Sequence, residues 1–364
     1  MQTSSKTLIT ALVTLAAAAT LVHAQNATTD PVGAFTYSPL GLSDTMISLP
    51  LHRSPVFQGQ VASVSGGNVT ISGTPAWTTG QFVYAPGTQP NTYYALIATG
   101  ALEGRHFKIA SNTLNTLSLE LGSDSIASLQ PNDLVTIVPY WTFGTVWPNG
   151  AGVSGTSSHG TRPTEILLYS GTNTGINFAP SQTFYYFTGT SPGWRRIGGG
   201  GTTVRNDDVI PVGAFIVYRQ NTNVSNTFAL TGSVQMAANA LKLGTKLSGV
   251  RQDNQIAFAV SSPMTLSQSN LFQGGAFEGS ASHGTRADEL LVFNNAEIKK
   301  NKSPQFTYYY FTGASPGWRR IGGGGTTVRD TDVVFEPGSA YVIRKKAAPT
   351  PSVVVATTLP PYLQ

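Results

Sequence analysis

Residues 185–205 read YYFTGTSPGWRRIGGGGTTVR and residues 309–329 read YYFTGASPGWRRIGGGGTTVR. At a shift of 124 residues, 20 of these 21 positions are identical, and only Thr190 against Ala314 differs. Each copy has the form of a strand (TFYYFTG, 183–189; TYYYFTG, 307–313), a Ser-Pro-Gly turn, and a second strand (GWRRIGG, 193–199; 317–323). The match extends outward at the same shift, with SSHGTRPTE (157–165) against ASHGTRADE (281–289). Strand patterns flank both copies: ILLYS (166–170) and VGAFIVYR (212–219) in the first, ELLVF (289–293) and AYVIRK (340–345) in the second. Further upstream, MISLPL (46–51) and QIAFAV (255–260) each follow an aspartate, Asp44 and Asp253. These observations predict an all-β chain with two homologous β-sandwich-like units. The first unit is discontinuous (25–55 and 143–220) and the second runs over 255–345. Two copies are too few for a solenoid or a propeller within one chain, so a pseudo-two-fold pair packed side by side is expected.

Residues 56–142 have no counterpart in the second half. Seven strand candidates lie there: QVASVS, NVTISG, QFVYA, YYALIA, HFKIAS, TLSLEL and DLVTIVPY. Their spacing, with turn signals between them, predicts a small β-barrel-like domain inserted into the first unit. Residues 221–254 read as a linker with a short helix at 235–243. Residues 346–364 read as an extended, Pro- and Ala-rich tail. Residues 1–24 have the pattern of a signal peptide: Lys6, an apolar core from Leu8 to Val22, and a small-residue cleavage site at Val22-His23-Ala24. The expected location is therefore periplasmic, cell-surface or extracellular.

Composition narrows the function classes. Charged residues are 11% of the chain, less than half the share of an average soluble domain. Gly, Pro, Ser and Thr supply the polarity instead. The net charge of +5 comes without any long basic run, the densest cluster being Arg344-Lys345-Lys346, so no nucleic-acid partner is expected. No cysteine is present, which excludes disulfides, thiolate metal sites and cysteine nucleophiles. No stretch after the leader is long enough to span a membrane as a helix.

The YYFTG…GWRRIG blocks after a GTR…E strand resemble an uncharacterised family of exported bacterial β-rich proteins. HFKIASNTLNTLSLEL followed by PNDLVTIVPYWT is similar to the region before the repeat in that family. The resemblance covers most of the chain after the leader. It implies export and β architecture and carries over no activity or catalytic residue. The GGGG after each GWRRI departs from the family pattern.

Two sets of residues are candidates for chemistry. Alternation along a strand puts Trp194 with Arg196, and Trp318 with Arg320, on one face. With Tyr186 and Tyr310 nearby, each set has the makings of a flat platform for a sugar ring; the alternative is tryptophan packed in the sheet. The second set is His159, Arg162 and Glu165, matched by His283, Arg286 and Glu289. A histidine with a carboxylate six residues on suggests half of an acid/base pair or of a metal site, against an Arg–Glu pair and a loop histidine that tie a turn. No set is complete enough to assign a catalytic residue, a metal or a cofactor. The glycine runs lack the Lys-Ser/Thr and following helix of a phosphate loop. The expected function is that of an exported, non-enzymatic surface or extracellular-matrix protein with a structural or adhesive role. The alternative is a carbohydrate-binding protein with one Trp/Arg platform per repeat. The expected partners are polysaccharide, cell-envelope components or a second copy paired through exposed sheet edges.

Overall fold

The computed structural model describes residues 30–364, and the predicted leader lies outside them. Strand β1 (Val32–Tyr37) and β2 (Asp44–Ile47) open the first unit. The chain then leaves it for β3 (Phe57–Ser65), β4 (Asn68–Ile71), β5 (Tyr93–Ile97), β6 (His106–Asn112), β7 (Thr116–Glu120) and β8 (Leu134–Pro139). These six close into a barrel in the order β3-β4-β7-β6-β5-β8. Alternate residues fill its interior, among them Val61, Val69, Ile71, Ala95, Ile97, Phe107, Ile109, Leu117, Val135 and Ile137. The expected strand QFVYA is a turn instead. Gly80 and Gly87 take positive φ there, and Phe82 is drawn into the barrel core, its amide donating to Asn112 Oδ1 at 3.0 Å.

The first unit resumes with β9 (Trp141–Thr142), a short helix α1 (Phe143–Val146), β10 (Thr164–Leu168), β11 (Gln182–Phe187), β12 (Gly193–Arg196), β13 (Val209–Ile210), β14 (Ile216–Gln220) and β15 (Phe228–Ser233). The second unit follows as β16 (Asn239–Thr245), β17 (Gln252–Ile256), β18 (Met264–Thr265), β19 (Glu289–Val292), β20 (Phe306–Phe311), β21 (Gly317–Arg320), β22 (Val333–Phe335), β23 (Tyr341–Lys345) and β24 (Ser352–Thr358). The two units have the same plan. A five-stranded antiparallel sheet is ordered β12-β11-β10-β14-β2 in one and β21-β20-β19-β23-β17 in the other. Two strand pairs flank it, β1-β15 and β9-β13 in one unit, β16-β24 and β18-β22 in the other. Even register is kept: Tyr186 faces Trp194 as Tyr310 faces Trp318, and Glu165 faces Arg219 as Glu289 faces Arg344.

This plan corrects the reading of the connecting segments. Residues 221–254 are not a linker, since they carry β15, β16 and the start of β17. The expected helix at 235–243 is overridden by strand alternation: Leu241 and Leu243 point inward and Lys242 outward, and β16 pairs with β24. The tail is extended, and its residues Ser352–Thr358 complete the second unit as β15 completes the first.

Each unit has its own aromatic core, around Trp147 and Trp194 in the first and around Phe277 and Trp318 in the second. A third apolar cluster joins the two sheets at a seam: Met46, Leu167, Phe215 and Val217 from the first unit meet Ala257, Leu291, Ala340 and Val342 from the second. A smaller cluster, including Tyr94, Val138, Tyr140 and Ala237, ties the barrel down. Among the described residues, no helix is long and apolar enough to cross a membrane.

Candidate functional site

The duplicated block folds as the hairpin β11-β12, and again as β20-β21, with its loops wrapped around a buried arginine. The turn requires Gly193, whose φ is +151°; a Cβ there would lie 2.9 Å from Val204 Cγ1. Gly317 repeats this with φ +148° and the same 2.9 Å approach to Val328 Cγ1. Beyond the turn, the guanidinium of Arg195 is only 1% exposed and forms no ion pair among the described residues. It donates to three carbonyls: Gly201 O at 2.8 Å, Trp194 O at 3.1 Å, and Ser191 O. Arg319 does the same with Gly325 O at 2.9 Å, Trp318 O at 3.1 Å and Ser315 O. The fixed fork of a guanidinium suits this divergent set of acceptors, which a lysine would not span. Each arginine also lies near a ring, 5.3 Å from the centroid of Phe187 and 5.5 Å from that of Phe311. Strand alternation alone puts Arg195 and Arg319 on the face opposite the tryptophans, and nothing in the sequence assigns them this role.

The tryptophans form no platform, and burial is the reason. Trp194 and Trp318 are 1% and 0% exposed. Trp194 packs among Phe143, Trp147 and Tyr186, and Trp318 against Phe277 and Tyr310. Tyr310 is itself buried, stacked on Phe272, while Arg320 lies over the Phe306 ring at 4.6 Å. Tyr186 and Arg196 are half-buried. A sugar ring needs an open aromatic face, and neither tryptophan offers one.

The His–Arg–Glu sets are brought together, but not as an acid/base pair. Arg162 Nε donates to Glu165 Oε1 at 2.8 Å and its Nη1 to His159 O at 2.9 Å; Asn221 Nδ2 donates to the other carboxylate oxygen. In the second unit Arg286 repeats both contacts, and Arg251 adds a second ion pair to Glu289 at 3.0 Å. The imidazoles turn the other way. His159 Nδ1 shares a hydrogen bond with Tyr185 Oη at 2.6 Å and stacks on Phe187; His283 does so with Tyr309 at 2.7 Å and stacks on Phe311. Each glutamate is thus committed to arginine. Among the described residues, no group of three or more His, Asp or Glu side chains is placed to hold a metal ion.

The outer edges of the two large sheets carry caps. At β12, Trp194 N donates to Asn206 Oδ1 and Trp194 O accepts from Arg205 N, each at 2.9 Å. At β21, Asp330 and Arg329 do the same for Trp318. At the opposite edge, β2 is covered by the second unit: Met46 N and O bond the Asn295 amide, and Asp44 N donates to Lys299 O. Asp253 N in β17 donates to Gly175 O of the first unit. Such caps block strand addition, so the expected pairing of copies through these edges lacks free backbone at these positions.

The most elaborate polar arrangement is at the seam. Arg219 donates Nε and Nη2 to Asp44 at 2.7 and 2.8 Å, and Nη2 also reaches Asn301 Oδ1 at 2.6 Å, while Asn301 N donates to Asp44 Oδ2. Arg344 donates Nε and Nη2 to Asp253 at 2.7 and 3.0 Å, and Nη2 reaches Asn177 Oδ1 at 2.9 Å, while Asn177 N donates to Asp253 Oδ2. Each asparagine therefore crosses from one unit to close the other unit's ion pair. Both sit in the left-handed region, at φ +53° and +52°, which asparagine tolerates well. The hydrogen bonds that Asp44 accepts hold the Arg219 guanidinium's pKa above its ordinary value despite burial. Between the two ion pairs lies a cleft of about 620 Å³ lined by residues of both units. The sequence signal for this site was slight: Asn177 and Asn301 are identical at the 124-residue shift, and Asp44 and Asp253 precede matching apolar runs.

Fold and site define an all-β protein of two like units joined by reciprocal ionic straps, one of which carries an inserted barrel. Compared with protein-family models, curated proteins and solved structures, the chain matches none of them.

Proposed function

We propose that this is an exported, non-enzymatic surface or extracellular-matrix protein that adheres through two equivalent loop surfaces, one on each unit. The observation that supports this reading is identity where packing does not demand it. Pro192, Ile197, Gly198, Thr202, Thr203 and Val204 are exposed, and so are their identical counterparts 124 residues on. The sequence diverges immediately beyond, at Asn206/Asp330 and Asp207/Thr331, and in the seam, where Phe215 corresponds to Ala340. Buried positions keep their residues because the core constrains them. The glycines of this loop answer to positive φ and to the buried arginine, but the exposed side chains of Pro192, Ile197, Thr202 and Thr203 have no such constraint, so their double preservation is best explained by a common partner. The leader pattern and the resemblance to exported bacterial proteins support a partner outside the cytoplasm. The caps at the sheet edges favour adhesion over assembly through those edges.

The test is co-sedimentation of the protein with a cell-envelope fraction. Thr203→Glu or Thr327→Glu alone is expected to weaken attachment by about tenfold or more through lost avidity, and the double variant to abolish it while remaining folded. Undiminished attachment of the double variant would sink the proposal.

A further inference from the structure

We propose that the seam cleft binds a short neutral saccharide, held between the two Asp–Arg–Asn sets. Its volume, about 620 Å³, falls within the roughly 300–1,000 Å³ typical of small-ligand sites. Its formal charge balances: Arg219, Arg344 and Lys302 face Asp44, Asp253 and Glu289, three cations against three anions. Each of these carboxylates is ion-paired to an arginine, so none is left free to draw a cation. Neutral hydroxyl and ring oxygens meet donors that remain available. Each arginine spends Nε and Nη2 on its aspartate and asparagine, and Nη1 makes no hydrogen bond among the described residues. The Tyr169 hydroxyl also has no hydrogen-bond partner among the described residues, and burial, then the nearby Asp44 charge, raises its pKa, so it stays a protonated donor. Tyr169, Phe178 and Phe293 are half-buried and supply aromatic surface of the kind that covers the apolar faces of sugar rings.

The frame also gives the ligand a direction. Tyr169 and Phe293 correspond at the 124-residue shift, so the ionic frame is two-fold while only one end carries a phenol. A chain with two different ends is read differently at each. The loop surface of the second unit touches the cleft only through Ile321, and neither Tyr169, Phe178 nor either Asp–Arg–Asn set belongs to it, so variants at Thr203 and Thr327 test adhesion apart from this site.

The experiment is saturation-transfer NMR and calorimetric titration of the protein with cellotetraose, laminaritetraose, maltotetraose and chitotetraose. At least one is expected to bind saturably. Tyr169→Phe, which removes one hydroxyl from the cleft, is expected to weaken it several-fold, and Phe178→Ala about tenfold. The Thr203→Glu/Thr327→Glu protein is expected to bind unchanged. Failure of all four saccharides to bind the folded protein, or binding that survives Tyr169→Phe and Phe178→Ala but is lost with the loop variant, would overturn the proposal.

Discussion

The hairpin block and the seam are both present twice, yet they preserve different things. In the block the residues themselves are kept: His, Tyr, Phe, Trp and Arg recur with nearly the same distances. In the seam most apolar residues have changed, Met46 against Gln255, Phe215 against Ala340 and Tyr169 against Phe293, while the Asp–Arg–Asn geometry is reproduced within a few tenths of an ångström. The difference is physical. Apolar contacts are non-directional, and a seam tolerates exchanges that conserve its overall volume. A guanidinium buried against carbonyls or a carboxylate is directional, and losing one partner strands the other. The two arginine systems therefore measure how alike the units are better than the cores do.

The sharpest way to break the comparison is Arg195→Met beside Arg319→Met. Each removes the donor that three carbonyls share in a buried turn. Each is expected to cost about 3–5 kcal/mol, the scale of removing one member of a buried polar set. Because the contacts match, urea unfolding should show losses that agree within about 1 kcal/mol. A larger difference would mean that the blocks are alike in sequence and unlike in energetic role. The seam allows the complementary test. Asp44→Ala and Asp253→Ala each leave an arginine and an asparagine amide without their acceptor, at an expected cost of about 2–4 kcal/mol. Each aspartate is bonded across the units, so the variants should also separate the unfolding of the two units in calorimetry. A single sharp transition in both would show that the apolar seam alone holds the units together.

Much of this architecture was legible in the chain. The duplication at 124 residues announced two like units, and alternation in VTISG and TLSLEL announced the inserted strands, because both signals are local. What stayed hidden was non-local. Nothing near Asn239–Thr245 says that its partner is Ser352–Thr358 at the far end of the chain, and the alanines around it imitate a helix. The direction of Trp194 was also beyond reach. Alternation fixes that Trp194 and Arg195 face opposite ways, but which face meets the core depends on Phe143 and Trp147, whose role in the second unit falls to Phe277 at a position the 124-residue shift does not match. The seam straps join residues up to 257 positions apart, and the coincidences of Asn177 with Asn301 and of Asp44 with Asp253 were slight hints of them.

The barrel breaks the two-fold resemblance, and its one-sided contact with the second unit gives the smallest and most specific expectation. His106 in β6 lines a second cleft with Asp124 of the barrel and Lys242 of β16, and Lys242 is ion-paired to Asp124. Burial, and then the Lys242 charge, push the His106 pKa down to about 4. In the unfolded chain a histidine titrates near 6.5. Between these values the unfolded state takes up the proton and the folded state does not, so stability is complete above about pH 6.5 and falls as pH drops toward 4. By pH 5 the loss from this group amounts to about 2 kcal/mol. His106→Gln has no such titration, so its urea midpoint should stay nearly flat from pH 7 to pH 5 while that of the native chain declines. Neither duplicated histidine is placed like this: His159 and His283 sit on exposed loops, each bonded to a tyrosine hydroxyl. If His159→Gln or His283→Gln flattens the profile instead, the pH response belongs to the repeated blocks and the barrel contact is not what sets it.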